Sequence, residues 1–218
     1  MSKDKANFLC YLFIVATVAV AAWLYPDLPD PMPSHWNAGG EADGWMPKPW
    51  GVAVLPGMAI LMFIIFRVIP HISPKGFRTE SFSEVLNILQ VVVVAFSCFV
   101  AFLVLFTAKG VDVRMNQMMF GGLGVLFIVL GNYLGKVRKN FFVGIRTPWT
   151  LANDEVWMRT HRLAGWTFIV MGIFFLAGAF VRVPVGWLVS LVVLLVLVPV
   201  VCSYFLYRQV EGFGDEQG

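Results

Sequence analysis

The stretch Val85–Thr107, VLNILQVVVVAFSCFVAFLVLFT, is 23 residues long and holds no charged side chain. The hydrocarbon core of a bilayer is about 30 Å thick, so a helix rising about 1.5 Å per residue crosses it with about 20 apolar residues. The segment therefore reads as a transmembrane helix. Working outward, five more runs have the same character: 8–25, 50–66, 117–135, 163–181 and 186–207, and with 85–107 they account for 118 of the 218 residues. The connections 26–49, 67–84, 108–116, 136–162 and 182–185 are too short for a soluble domain. The expected architecture is all-α: a single polytopic membrane domain over 1–218, with helices 1–2 and a structured loop 26–49 inside 1–70, and helices 3–6 inside 85–207. A composition 59% apolar and 13% charged, with mean hydropathy +0.78, fits this and no soluble class. Lys3, Lys5 and Ala19-x-Ala21 resemble a signal peptide, but an apolar run of 18 exceeds the usual core of about 7–15, so the run reads as a retained helix.

Basic residues near span ends stay in the cytoplasm. With the N-terminus inside, the inner connections and termini hold 12 of the 16 Lys and Arg residues, six of them in 136–162, while Lys48, Lys109, Arg114 and Arg182 face out. Both termini and the 136–162 connection are thus assigned to the cytoplasm. The net charge of +3 reports topology, and no direct nucleic-acid partner is expected. Trp23, Tyr25, Trp45, Trp50 and Trp187 fall near outer span ends and Trp149, Trp157 and Trp166 near inner ones, as interfacial belts do. Cys10, Cys98 and Cys202 lie within spans and read as structural thiols.

The first outer loop begins Tyr25-Pro26-Asp27-Leu28-Pro29-Asp30-Pro31-Met32-Pro33. Proline removes a donor and pushes its predecessor toward extended geometry, so polyproline II is expected there. In the following residues to Trp45, Gly39-Gly40 and Asp43-Gly44 are expected to supply positive φ angles for tight turns. Asp27, Asp30, Glu41 and Asp43 against the lone Lys48 give the loop a negative tilt that attracts a cationic peptide. Pro56 and Pro199 predict kinks. Five glycines in the fourth run, with Gly131-x-x-x-Gly135, predict close backbone approach and make it the most enclosed helix. Asn87 and Gln90, at the inner depth of Asn132, either form a polar pocket open to the cytoplasm or join helices 3 and 4 by hydrogen bonds.

In the fourth connection Thr147-Pro148 reads as an N-cap and first helical residue. Trp149, Val156, Trp157 and Thr160 on one side predict an amphipathic helix lying on the inner interface before the fifth span. Lys139, Arg159 and Arg162 suit headgroup anchoring, whereas Arg146, between Gly144 and Thr147-Pro148, is held in a turn that aims it.

Two segments carry resemblances. Tyr25-Pro26, Leu28-Pro29, Pro33-x-His35-Trp36-Asn37, Gly40 and Asp43-Gly44-Trp45 resemble a bacterial membrane domain of unknown function. Gly131-Asn132, Gly135-Lys136-x-Arg138-x-Asn140, Gly144-Ile145-Arg146-Thr147-Pro148-Trp149-Thr150-Leu151, Val156-Trp157 and Thr160-His161-Arg162 resemble the SdpI family of toxin-immunity and signalling proteins, a likeness extending over helices 4–6. The resemblance implies a multi-pass protein of the bacterial inner membrane that protects against a membrane-active peptide toxin and signals to a cytoplasmic repressor. The outer-loop binding residues are then His35, Trp36, Asn37, Gly40, Asp43, Gly44 and Trp45, with the two tryptophans as rigid anchors. The cytoplasmic motif comprises Asn132, Gly135, Lys136, Arg138, Asn140, Gly144, Arg146, Thr147, Pro148, Trp149, Thr150, Trp157 and His161. Arg138 and Arg146 are set to pair with a partner's carboxylates, and His161 to bond Asn140 or Asn132.

No cofactor or metal is expected. The topology separates His35 from His71 and His161, and no HExxH or CxxC occurs; His35 with Glu41 or Asp43 reads as loop-ordering sooner than as zinc-binding. A small transporter or channel built on Asn87, Gln90, Asn132 and Arg138 is the alternative function, weakened by the absence of Asp, Glu or His within the six runs. An enzyme would need Thr147, Thr150 or Thr160 with His161, oriented by Asp154 or Glu155.

Overall fold

The computed structural model describes residues 1–181 and 183–212, with only the backbone considered at Val185. Arg182, one of the four basic residues assigned to the outer side, lies outside the described residues. Among these described residues, six helices are long and apolar enough to cross a membrane: α1 (Lys3–Leu24), α2 (Lys48–Ile72), α3 (Ser83–Ala108), α4 (Met115–Leu134), α6 (Asp154–Gly178) and α7 (Val185–Val210). A five-residue helix, α5 (Pro148–Ala152), precedes α6. The spans outrun their apolar cores. α2 passes through Arg67 and Pro70 to Ile72, because long basic side chains and terminal polar groups reach the headgroup layer while their backbone stays helical.

The loop after α1 is not polyproline II over its length. Tyr25–Asp27 continues α1 as a single 3-10 turn, and Met32–Trp36 (β1) pairs antiparallel with Ala42–Met46 (β2). Two register shifts, between Pro33 and His35 and between His35 and Trp36, bend the ladder. Pro33 is tolerated because a two-stranded ribbon has only edge strands, where a missing donor need not be answered. Of the glycines in the loop only Gly40 has a positive φ, 85°.

The hairpin and the motif connection sit at opposite ends of the bundle. At the hairpin end, Asn116 at the start of α4 donates to the Ala38 carbonyl (2.7 Å), and Lys109 beyond α3 pairs with Asp27 (3.0 Å). At the motif end, the Met1 carbonyl accepts from Asn87 of α3 (3.1 Å), and Glu211 beyond α7 accepts from Asn153 (2.6 Å). Met1 and Glu211 therefore lie at the same end as the motif connection, as an even number of crossings requires.

The core is layered along the bundle. Ala21, Leu24, Leu28, Met32 and Leu105 fill the hairpin end, Cys10, Ala59, Val94 and Cys98 the middle, and Phe82, Leu86, Leu134, Val137 and Trp157 the motif end. The most enclosed helix is α3, with 44% of its apolar window buried against 17% for α4, which corrects the expectation drawn from the glycines. Gly124, Gly131 and Gly135 face α6, whereas Gly122 packs on Phe99 of α3 and Gly121 meets nothing. A Cβ on Gly124 would stand 2.9 Å from the Gly172 carbonyl oxygen of α6, and one on Gly131 would stand 2.6 Å from that of Gly165. Lacking a hydrophobic drive between helices, spans in lipid associate through such close van der Waals contact.

Candidate functional site

The hairpin presents its polar groups outward. His35 Nδ1 and Asp43 Oδ1 are 2.5 Å apart across the ladder, with side chains 72% and 45% exposed. Gly44 faces His35, and a Cβ there would lie 2.9 Å from the histidine Cβ. Asn37 closes the turn, its Oδ1 accepting from the N–H groups of Gly39 (2.8 Å) and Glu41 (3.1 Å). Trp45 is 57% exposed and Trp36 half-buried. The loop's acidity is largely answered locally: Asp27 by Lys109, Asp30 by the Lys48 N–H (3.1 Å), Asp43 by His35.

The motif connection is built the opposite way, around fully buried polar side chains. Asn140 uses all of its capacity on its own loop. Its Nδ2 donates to the carbonyls of Arg138 (2.8 Å) and Val143 (3.0 Å), and its Oδ1 accepts from the N–H groups of Phe142 (2.8 Å) and Val143 (2.7 Å). Thr147 and Thr150 form a capping box that starts α5, as the Thr-Pro signal predicts, and Thr147 Oγ1 also meets Ser203 Oγ of α7 (3.1 Å). Trp157 Nε1 donates to the Val137 carbonyl (2.8 Å). His161 stacks on the Trp157 ring at 4.0 Å. It bonds neither Asn140 nor Asn132: the Ile145 N–H donates to its Nε2 (3.0 Å), so Nδ1 carries the proton and donates to the Trp157 carbonyl (2.8 Å). Gly144, at φ +112°, makes room for that ring, since a Cβ would lie within 2.2 Å of Nε2.

Two sequence expectations are corrected here. The interfacial helix is only α5; Asn153 breaks it and caps α6 by accepting from the N–H groups of Glu155 and Val156. Trp157, Thr160 and His161 consequently ride on a spanning helix and are buried against its neighbours, so Trp157 is no belt residue. The run Asn153-Asp154-Glu155, a capping side chain followed by an acidic first turn, is the signal for this start. Arg146 donates to the Phe141 carbonyl of its own loop, and Arg138 leans on Met158 Sδ (3.2 Å).

This connection lies within a stretch that matches a known family. Residues 136–205 match the SdpI/YfhL protein family, and residues 12–60 match a domain of unknown function, DUF1648. The chain carries an SdpI/YfhL family region behind a DUF1648 domain. Immunity protein SdpI of Bacillus subtilis (strain 168) is 22% identical to it over 213 residues, covering 95% of this chain and 99% of the relative. No solved structure matches the chain. The SdpI/YfhL match begins at Lys136, after α4, so Asn132 and Gly135 fall outside it. Asn132 is exposed; Gln90 instead donates to Cys10 Sγ (3.6 Å) and Asn87 to the Met1 carbonyl, so no pocket forms from those three.

Within the SdpI/YfhL region the nucleophile–base arrangement is not formed. Both nitrogens of His161 are engaged by backbone, and Thr160 Oγ1 is buried without a hydrogen-bond partner. Lys139 pairs with Asp154 and Arg159 with Glu155, each at 2.5 Å. The polar cleft at this end lies instead between Glu80–Val85 and Lys136, Arg138 and Arg162. Its lining comes from helix ends, which makes it a terminal recess and no conduit.

Proposed function

We propose that this protein is a multi-pass immunity and sensing protein of the bacterial inner membrane, which binds a membrane-active peptide toxin on the exposed hairpin and neutralises it. The observation that carries the reading is the end-to-end likeness to immunity protein SdpI, 95% of this chain against 99% of the relative. The concentration of Lys and Arg at the motif end supports a cytoplasmic position for that end, with the hairpin outward. There Trp45 offers a rigid aromatic anchor and Glu41 a carboxylate for a cationic peptide. The cytoplasmic face around Arg146 is the surface available to a repressor.

The test is survival. Expression in a strain sensitive to cationic peptide toxins raises survival, and Trp45→Ala lowers that protection without lowering membrane abundance. Unchanged survival with the unaltered protein across a panel of such peptides rejects the reading. A cysteine introduced at position 42 is labelled by an impermeant reagent from outside and one at 139 is not; the reverse pattern overturns the orientation.

A further inference from the structure

The terminal recess at the motif end has a volume of about 560 Å³ and two charged walls. Glu80 and Glu84 stand on the segment that opens α3. Lys136 and Arg138 stand opposite on the connection that follows α4, with Arg162 on α6, and Phe82 and Met158 line the space between them. Opposite charges sharing so small a space ordinarily close on one another, and elsewhere at this end they do: Lys139 takes Asp154 and Arg159 takes Glu155. In the recess they do not. Among the described residues, Lys136, Arg138 and Arg162 pair with no carboxylate, Glu80 pairs with no cation, and Glu84 meets only the Met1 amino group at 3.6 Å. Lys136 lies over the Tyr133 ring (4.7 Å) and Arg138 against a thioether, neither of which neutralises charge.

We propose that the recess binds the headgroup of a phospholipid that carries a primary ammonium beside its phosphodiester. The phosphate lies against Lys136, Arg138 and Arg162, and the ammonium against Glu80 and Glu84. Two guanidinium forks and an ammonium suit the non-bridging oxygens of a phosphate, and an anion there relieves the mutual repulsion of three cations. A purely anionic headgroup would satisfy that wall and be repelled by the other. A trimethylammonium group has no N–H to donate to Glu80 and Glu84, whereas a primary ammonium has three. The recess occupies the terminal turns of spanning helices, the depth at which headgroups lie, and the exposed Met158 meets the start of the acyl chains. The inference is independent of the toxin reading.

The test uses the full chain purified in detergent and dihexanoyl lipids bearing ethanolamine, glycerol or choline headgroups, with phosphoethanolamine and inorganic phosphate as soluble arms, read by native mass spectrometry or calorimetry. The ethanolamine lipid binds about tenfold tighter than the other two lipids, since charge-assisted hydrogen bonds separate them, and tighter than either soluble phosphate. The double variant E80Q/E84Q weakens the ethanolamine lipid about tenfold and strengthens the glycerol lipid, inverting the preference, whereas R138Q/R162Q weakens both by about tenfold or more. The preference is a ratio within one sample, so loss of folded material does not move it. Glycerol lipid binding at least as tightly as ethanolamine lipid, a preference unmoved by E80Q/E84Q, or phosphoethanolamine matching its lipid would each overturn the proposal.

Discussion

At the hairpin end, His35 and Asp43 pair in solvent and Trp45 is 57% exposed; at the motif end, Asn140, Thr150 and His161 have no exposed surface, and every bond they make is to their own loop or to α6. The two signatures look alike in sequence, each a short polar run studded with glycine, proline and tryptophan. Their physics differs. Polar groups left in water cost little and remain available to a ligand, whereas buried ones must be satisfied internally and then hold a shape. The hairpin is therefore a surface, and most of the SdpI/YfhL signature is a scaffold that leaves only a few cations free.

Substitutions can break this contrast. The largest effect is expected from Asn140→Ala, which strips partners from two N–H groups and two carbonyls at once and costs about 4 kcal/mol, seen as a lowered midpoint of thermal unfolding in detergent and reduced membrane abundance. Gly144→Ala forces a Cβ into the His161 ring at an unfavourable φ and costs about 3 kcal/mol by the same measurement. A midpoint unchanged in both variants would mean that the loop is not a scaffold. Asp43→Asn at the hairpin alters an exposed side-chain contact worth no more than about 1 kcal/mol, so unfolding barely moves while the loss of the carboxylate weakens binding of a cationic peptide.

The smallest effect concerns the latch between Glu211 and Asn153. Hydrogen bonds from Asn153, and then from Tyr207, hold the Glu211 carboxyl below the ordinary glutamate range. A carboxyl lowered in the folded state contributes fully above its ordinary value of about 4.3 and loses that contribution as pH falls through the folded value. Hydrogen-exchange protection at the first turn of α6 should fall over that acid window, and Glu211→Gln should flatten the dependence.

The six spans were legible because uninterrupted apolar runs admit one solution in lipid. Their ends were not, since Arg67, Pro70 and His71 look like loop yet stay helical at the headgroup layer. The hairpin was hidden by Pro31 and Pro33, which argue against a strand everywhere except on an edge. His161 and Trp157 were legible as members of a motif but not as buried ones, because Thr147-Pro148 is the stronger local start signal and hides the Asn153 cap that begins α6 ahead of them. Hydrogen-bond partners 16 and 20 residues distant, as for Ile145 with His161 and Val137 with Trp157, follow from the helix packing and have no local signature.

The glycine seats between α4 and α6 bear on how the two faces could communicate. Gly124 sits on Gly172 and Gly131 on Gly165, two turns apart on each antiparallel helix. Sliding α4 by one turn would bring Ile128 or Phe127 to a seat where even a Cβ would meet a carbonyl oxygen at 2.6 Å. The helix thus has a single longitudinal position. It is also a rod of 20 residues, about 30 Å long, gripping the hairpin through Asn116 and bordering the headgroup recess at Gly135. Such a rod transmits as a lever pivoting on its seats, never as a piston: a push on the hairpin arrives at the far face as a tilt.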